Sequence, residues 1–363
     1  MTSRRGFLVS LFAASAVPSL SWADAGSPAF LAAAKETDGS FALYGLRADG
    51  SDAFVVPMAA RGHAGAGHPT LPQAVAFARR PGDFALVLDC VTGATLATLV
   101  PPLGQYFNGH GTFSSDGSVL YTVENNAKTS AGIIGTWDSK SWKRTGQFAT
   151  FGLGPHDLLR LPGSDDLVVA NGGLKTDLAT DDETRNIATM QPSLTYLSPN
   201  GDMLDMMVLG AALRRNSIRH LAVRPDGLVA FAMQWQGDTA ATAPLVGLHR
   251  FGDAPMLVQA GAEEHALLKG YAGSIAFNPR GDRVAISSPK GGRLHVFDAN
   301  ATDAAASFQA ALTRADICGL ATRGNEMIAT DGLGGVLGVT ATGLSALSRA
   351  NRAWDNHIVA LPI

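Results

Sequence analysis

Residues 274–298, SIAFNPRGDRVAISSPKGGRLHVFD, carry three short strand-like runs separated by two turn clusters, Asn-Pro-Arg-Gly-Asp and Pro-Lys-Gly-Gly. Runs rich in Ile, Val, Ala and Phe, bounded by Gly, Pro, Asn and Asp, are the signature of an antiparallel meander. A polar turn and AASFQAAL at 305–312 add a fourth strand. No long 3.6-residue periodicity competes with this reading, so the unit is a four-stranded sheet.

The same unit recurs along the chain. A hydrophobic segment running into a Pro-Asp-Gly or Ser-Asp-Gly turn appears at 109–123 (GHGTFSSDGSVLYTV), 155–170 (PHDLLRLPGSDDLVVA) and 219–233 (RHLAVRPDGLVAFAM). Aligned on the turn, the register positions are His68, His110, His156, His220, Ser274, Cys318 and His357. His68 and His156 fit after a one-residue shift, with Pro72 and Pro162 as their turn residues. The spacing matches the roughly 40–50-residue period of propeller blades. The last residues, from His357, supply only one strand, and Phe30 to Lys35, Phe41 to Leu46 and Ala53 to Met58 supply the other three. Sharing a blade between the chain ends removes exposed sheet edges. The expected fold is therefore all-β, a seven-bladed propeller of four-stranded antiparallel blades over 24–363.

Equivalent positions in a toroid converge on its axis, and His357, His68, His110, His156 and His220 occupy consecutive blades. Imidazole is the commonest protein metal ligand and suits iron, copper, zinc and nickel. We expect these five as the metal ligands. Glu124 and Cys318 offer an additional oxygen and thiolate if within reach. The loops joining second and third strands are expected on the same face as the strand starts, with Glu124, Asn171, Gln234 and Trp235 closing the pocket. His63 in RGHAGAG reads as an exposed loop residue, with a flexible extra ligand as the alternative, His265 as solvated, and His249 and His295 as packing between blades.

Ahead of the repeats, Ser3-Arg4-Arg5-Gly6-Phe7-Leu8, a short apolar run to Leu20 and the small-residue site Ser21-Trp22-Ala23 form a Tat export signal. Residues 1–23 are expected to be removed and the protein to be periplasmic. Losing Arg4 and Arg5 leaves 26 basic against 31 acidic residues, a charge of about −5 with neutral histidine. That balance argues against nucleic-acid binding, and no second apolar stretch reaches the length of a membrane span. Cys90 and Cys318 are expected to remain unpaired. The acidic run with Asp177, Asp181, Asp182 and Glu183 lacks calcium-loop spacing, and there is no Gly-x-Ser-x-Gly elbow. The Met203–Met207 run reads as strand packing.

The SRRGF signal together with GHGTFSSDG, GPHDLLRLP, RHLAVRPDG and DNHIVALP resembles a bacterial family of Tat-exported seven-bladed propellers of unknown function. The resemblance spans essentially the whole chain. It implies a periplasmic protein associated with imelysin-like iron-regulated proteins and di-haem peroxidase-like proteins, and hence iron acquisition or handling. Lactonase-like and YVTN propellers are similar only in architecture, which does not transfer function. The expected function is binding or handling of a transition metal, iron first and copper second, or of a small metal complex. The alternatives are a lactonase-like or redox enzyme using the same mouth, and a protein-docking scaffold.

Overall fold

The computed structural model describes residues 20–176, 186–238, 242–340 and 342–361. Seven four-stranded antiparallel sheets form the ring. Their inner strands are Gly62–Gly67, Gln105–Phe113, Pro155–Arg160, Asn216–Val223, Ser274–Phe277, Ile317–Arg323 and Arg352–Ala360, which define blades 1 to 7 in that order. The seventh blade closes as the sequence requires. Arg352–Ala360 is innermost, followed by Phe30–Glu36, Phe41–Leu46 and Asp52–Met58. The closing pair runs antiparallel from Phe30↔Ala360 to Glu36↔Arg352.

The core lies between blades. Phe77, Phe107, Leu120 and Trp137 pack between blades 1 and 2, and Leu248, Phe277, Ile286 and Phe297 between blades 4 and 5. Phe77, Phe107, Phe231 and Phe297 are fully buried, each contributing roughly 1.5–3 kcal/mol of transfer free energy. Both cysteines are buried and free, so packing rather than cross-linking holds the ring. Among the described residues no helix is long and apolar enough to cross a membrane.

The export motif at residues 3–8 and the acidic run at 177–183 lie outside the described residues. Trp22, just ahead of the expected cleavage point, is buried and its Nε1 donates to the His68 carbonyl at 3.1 Å. His265 is buried rather than solvated, with Nε2 2.7 Å from the Ala243 carbonyl. His249 and His295 pack within the ring as expected: His249 Nδ1 meets Tyr196 Oη at 2.7 Å and His295 Nε2 meets Glu264 at 3.0 Å. The Met203–Val208 run is an outer strand on which Met207 is buried but Met203 is exposed.

A candidate metal centre on the propeller axis

Inner strands do not run straight through the axis. The ladder to the second strand breaks between Gly62 and Gly65, Phe107 and Gly111, Pro155 and Asp157, Ile218 and His220, and Trp354 and Ile358. Such bulges re-aim side chains out of the alternation of a regular strand. At or within these breaks stand His63, His110, His156, His220 and His357. Their rings meet on the axis, with neighbouring centroids 4.3 Å (His63–His357) to 6.0 Å (His110–His220) apart. Gly109 permits the approach: its φ is +93°, and a Cβ there would strike the His63 ring.

Blade 1 therefore contributes His63, not His68. The His68 Nδ1 accepts from the backbone N–H groups of Thr70 and Leu71 at 3.2 and 3.0 Å, and its ring packs edge-on against Phe113. It caps the turn after the inner strand, one strand length from the cluster. Among the described residues, blades 5 and 6 place no ligand in the cluster. Ser274 Oγ accepts from the Leu320 N–H at 3.0 Å. The Cys318 thiol lies 3.3 Å from Thr330 Oγ1 of its own blade, and burial pushes its pKa up to about 12.

The other expected pocket residues are engaged within their blades or with adjoining ones. Buried Glu124 pairs with Arg144 at 2.7 Å and accepts from Thr122 Oγ1. Asn171 bonds Thr150, Ser193 and Thr195. Gln234 Nε2 donates to the Ala272 carbonyl at 3.3 Å, and Trp235 Nε1 to the Asp238 carbonyl at 2.8 Å. None of the four lines the axial cavity. That cavity, about 600 Å³, lies beyond the histidines toward the inner-strand ends, with His110, Asp157, His220 and His357 at its floor. It opens on the face opposite the one expected from the long second-to-third-strand loops.

Donor geometry suits an ion. One nitrogen from each of His63, His110, His156 and His357 can be chosen so that all four lie within 4.8 Å of one another. A tetrahedral imidazole set at about 2.1 Å from a metal has its nitrogens about 3.4 Å apart, so shifts of roughly an ångström close the set. His110 Nδ1 faces Asp157 at 3.1 Å, leaving its Nε2 free. This is the carboxylate–histidine arrangement that fixes the tautomer and orientation of a metal ligand. Asp355, held by Arg61 at 2.5 Å, lies 3.8 Å from His63 Nδ1, and Arg219 Nη1 approaches His156 Nδ1 at 3.4 Å.

Burial dominates the electrostatics. It pushes His63 down to about 4, and pushes His156, His220 and His357 well below the ordinary imidazole value, reinforced by the neighbouring rings. Burial raises the Asp355 carboxyl, but His63 and Arg61 outweigh it and hold the group at about 2. The four rings are thus neutral at pH 7, the form that ligation requires. The unfolded rings bind protons below about 6.5, whereas the folded rings resist. Stability of the metal-free protein is therefore fully present above about pH 6.5 and falls as pH drops toward 4. Chelator-treated protein should show a melting temperature that declines through this window, and the decline should flatten when His63, His156 and His357 are replaced together by glutamine. An equally steep decline in that variant would place the titrating groups elsewhere.

Several solved structures share this architecture. One titled Kuenenia stuttgartiensis hydrazine synthase is 15% identical, with 80% of this chain and 86% of that chain covered at a TM-score of 0.61. A functionally unknown protein from Desulfotomaculum acetoxidans DSM 771 is 9% identical, with 92% and 99% covered at 0.62. At such identities the likeness shows the fold alone. No curated protein matches the chain. A family model described as "Protein of unknown function (DUF1513)" matches residues 56–361, and on that match the chain belongs to this family.

Proposed function

We propose that the protein binds a transition-metal ion through His63, His110, His156 and His357, with His220 as a fifth imidazole beside them. One observation carries this reading: His63 Nδ1, His110 Nε2, His220 Nδ1 and His357 Nε2 are all buried with no hydrogen-bond partner. An unmet buried polar atom costs about 1–3 kcal/mol, and native folds seldom leave several in one place. An ion satisfies them together. With nitrogen donors only, the set suits iron, copper, zinc or nickel. Iron comes first because of the iron handling implied by the family resemblance. Copper comes second because nitrogen sites bind it most tightly among the divalent ions. The Ser3–Leu8 motif supports Tat export to the periplasm, where imelysin-like and di-haem proteins are the proposed partners.

Elemental analysis of exported protein purified without chelator or His-tag tests the reading. We expect about one iron or copper per chain, and none in a folded His110→Ala/His156→Ala/His357→Ala variant. Wild-type protein that stays metal-free after reconstitution with each ion would overturn it. The Asp157–His110 pair at the cavity floor favours a second reading, an enzyme using His110 as acid or base. Turnover lost in His110→Ala protein that never held metal would select that reading.

A further inference from the structure

The two sides of the histidine cluster differ. On the side of the strand starts, Asn108, Ser217, Arg219 and Asp355 are buried and bonded to one another's neighbourhoods. Asn108 donates to the Pro155 carbonyl, Ser217 to the Gly172 carbonyl and Arg219 Nε to Ser217 Oγ, while Arg61 holds Asp355. This side of the cluster is a hydrogen-bonded polar layer. On the other side, the floor formed by His110, His220 and His357 opens directly into the cavity, and each of those rings carries an unpartnered buried nitrogen.

We infer that an ion in this cluster keeps one coordination position open to the axial channel, through which a small neutral or anionic molecule bearing a lone-pair donor reaches it. The inference rests on the metal reading above. A closed structural site is surrounded by its ligands, whereas a reactive one leaves a position for an exogenous molecule. Here His63 and His156 do not line the cavity, and the rings that do reach it stand on one edge of the cluster. The cavity volume of about 600 Å³ falls in the range of small-molecule sites, about 300–1,000 Å³.

Charge decides the ligand class. Above the floor the walls are Ala66, Thr112, Leu159, Ile275, Leu320 and Val359 with their neighbours. The charged lining residues are Asp157, Arg224 and Arg280. Asp157 is committed to His110 and to the Leu221 N–H. Arg224 and Arg280 stand in the turns at the rim, where Arg224 pairs with Asp226 at 2.8 Å and Arg280 with Asp282 at 3.4 Å. A cation moving down the channel would lose water, pass two arginines and meet the positive charge of the bound ion, which is costly. A neutral or anionic donor would not.

The test uses cobalt(II), whose visible bands report its ligands. The full-length protein is reconstituted, its cobalt content measured, and imidazole titrated at pH 8, where the probe is mostly neutral. We expect a saturable band change with cobalt retained. Thr112 lies two residues beyond His110 on the same strand and lines the channel. Thr112→Trp should keep the cobalt but require at least tenfold more imidazole. Val359→Trp, plugging from blade 7, serves should the first variant fail to fold. Bound cobalt whose bands do not move would make the site closed, overturning the inference while leaving the metal reading intact. Equal imidazole response in the plugged variants, or a change that comes with cobalt loss, would overturn it too. Failure to bind cobalt at all would remove both readings.

Discussion

His63→Ala is expected to weaken metal binding by at least about 100-fold, while His68→Ala leaves it within about twofold. Replacing even a residue that only supports a metal ligand costs about 10–100-fold in affinity, so deleting the ligand itself should cost no less. His63 touches three of the other rings, at centroid distances of 4.3, 5.0 and 5.8 Å to His357, His110 and His156. Among the described residues no other blade-1 histidine, cysteine or carboxylate joins the cluster, so no blade-1 ligand can substitute. His68→Ala acts on stability instead. Its Nδ1 satisfies the N–H groups of Thr70 and Leu71, and removing it should cost about 1–3 kcal/mol. Competition against a chromophoric chelator reads the first effect, and denaturant unfolding of metal-free protein reads the second. If His68→Ala lost the metal and His63→Ala kept it, the geometric assignment of blade 1 would be reversed.

The histidine exchange shows what was legible. The turns at 225–227 and 279–282 and the split seventh blade fixed the ring, because turn chemistry and edge closure are local and recur. The arc of five consecutive blades was legible for the same reason. Blade 1 misled because its inner strand, GHAGAG, is built of small residues and shows no strand-like hydrophobic alternation. The ruler was anchored on Pro72, whereas the inner strand ends at Gly67 and the turn carries Pro69. Counting from Pro69 reaches His63 six residues earlier, the same interval as His156 to Pro162. Bulges leave no periodic trace, so sequence could not separate Cys318, which turns into its blade, from His357, which turns to the axis. Nor could it find the open face. The polar loop residues Asn171 and Gln234 spend their hydrogen bonds on their own and adjoining blades, while the opening is walled largely by Ala, Leu, Ile and Val.

Ending the chain at Asn351 should abolish cooperative folding, and a synthetic peptide of residues 352–363 should restore it. The removed strand is the innermost of its blade and pairs with Phe30–Glu36 along its length. Its Trp354 is buried against Tyr44, edge-on at 5.5 Å, in a cluster with Cys318, Ile328 and Val336. Losing one buried Trp typically costs 3–5 kcal/mol, and a domain's whole stability is about 5–15 kcal/mol. Truncation also removes Ile358, strips the ladder from Phe30–Glu36 and exposes the apolar flank of blade 6, so the loss should exceed what the remaining ring can hold. Far-UV circular dichroism during heating gives the measurement. A truncated chain that melts as sharply as the full one, within a few degrees, would show that the ring does not depend on closure. The same strand carries His357 and Asp355, so completing the fold and completing the site are one event. Peptide added to the truncated chain should therefore restore metal binding in parallel with the melting transition, and His357→Ala peptide should restore the transition while leaving the metal affinity impaired.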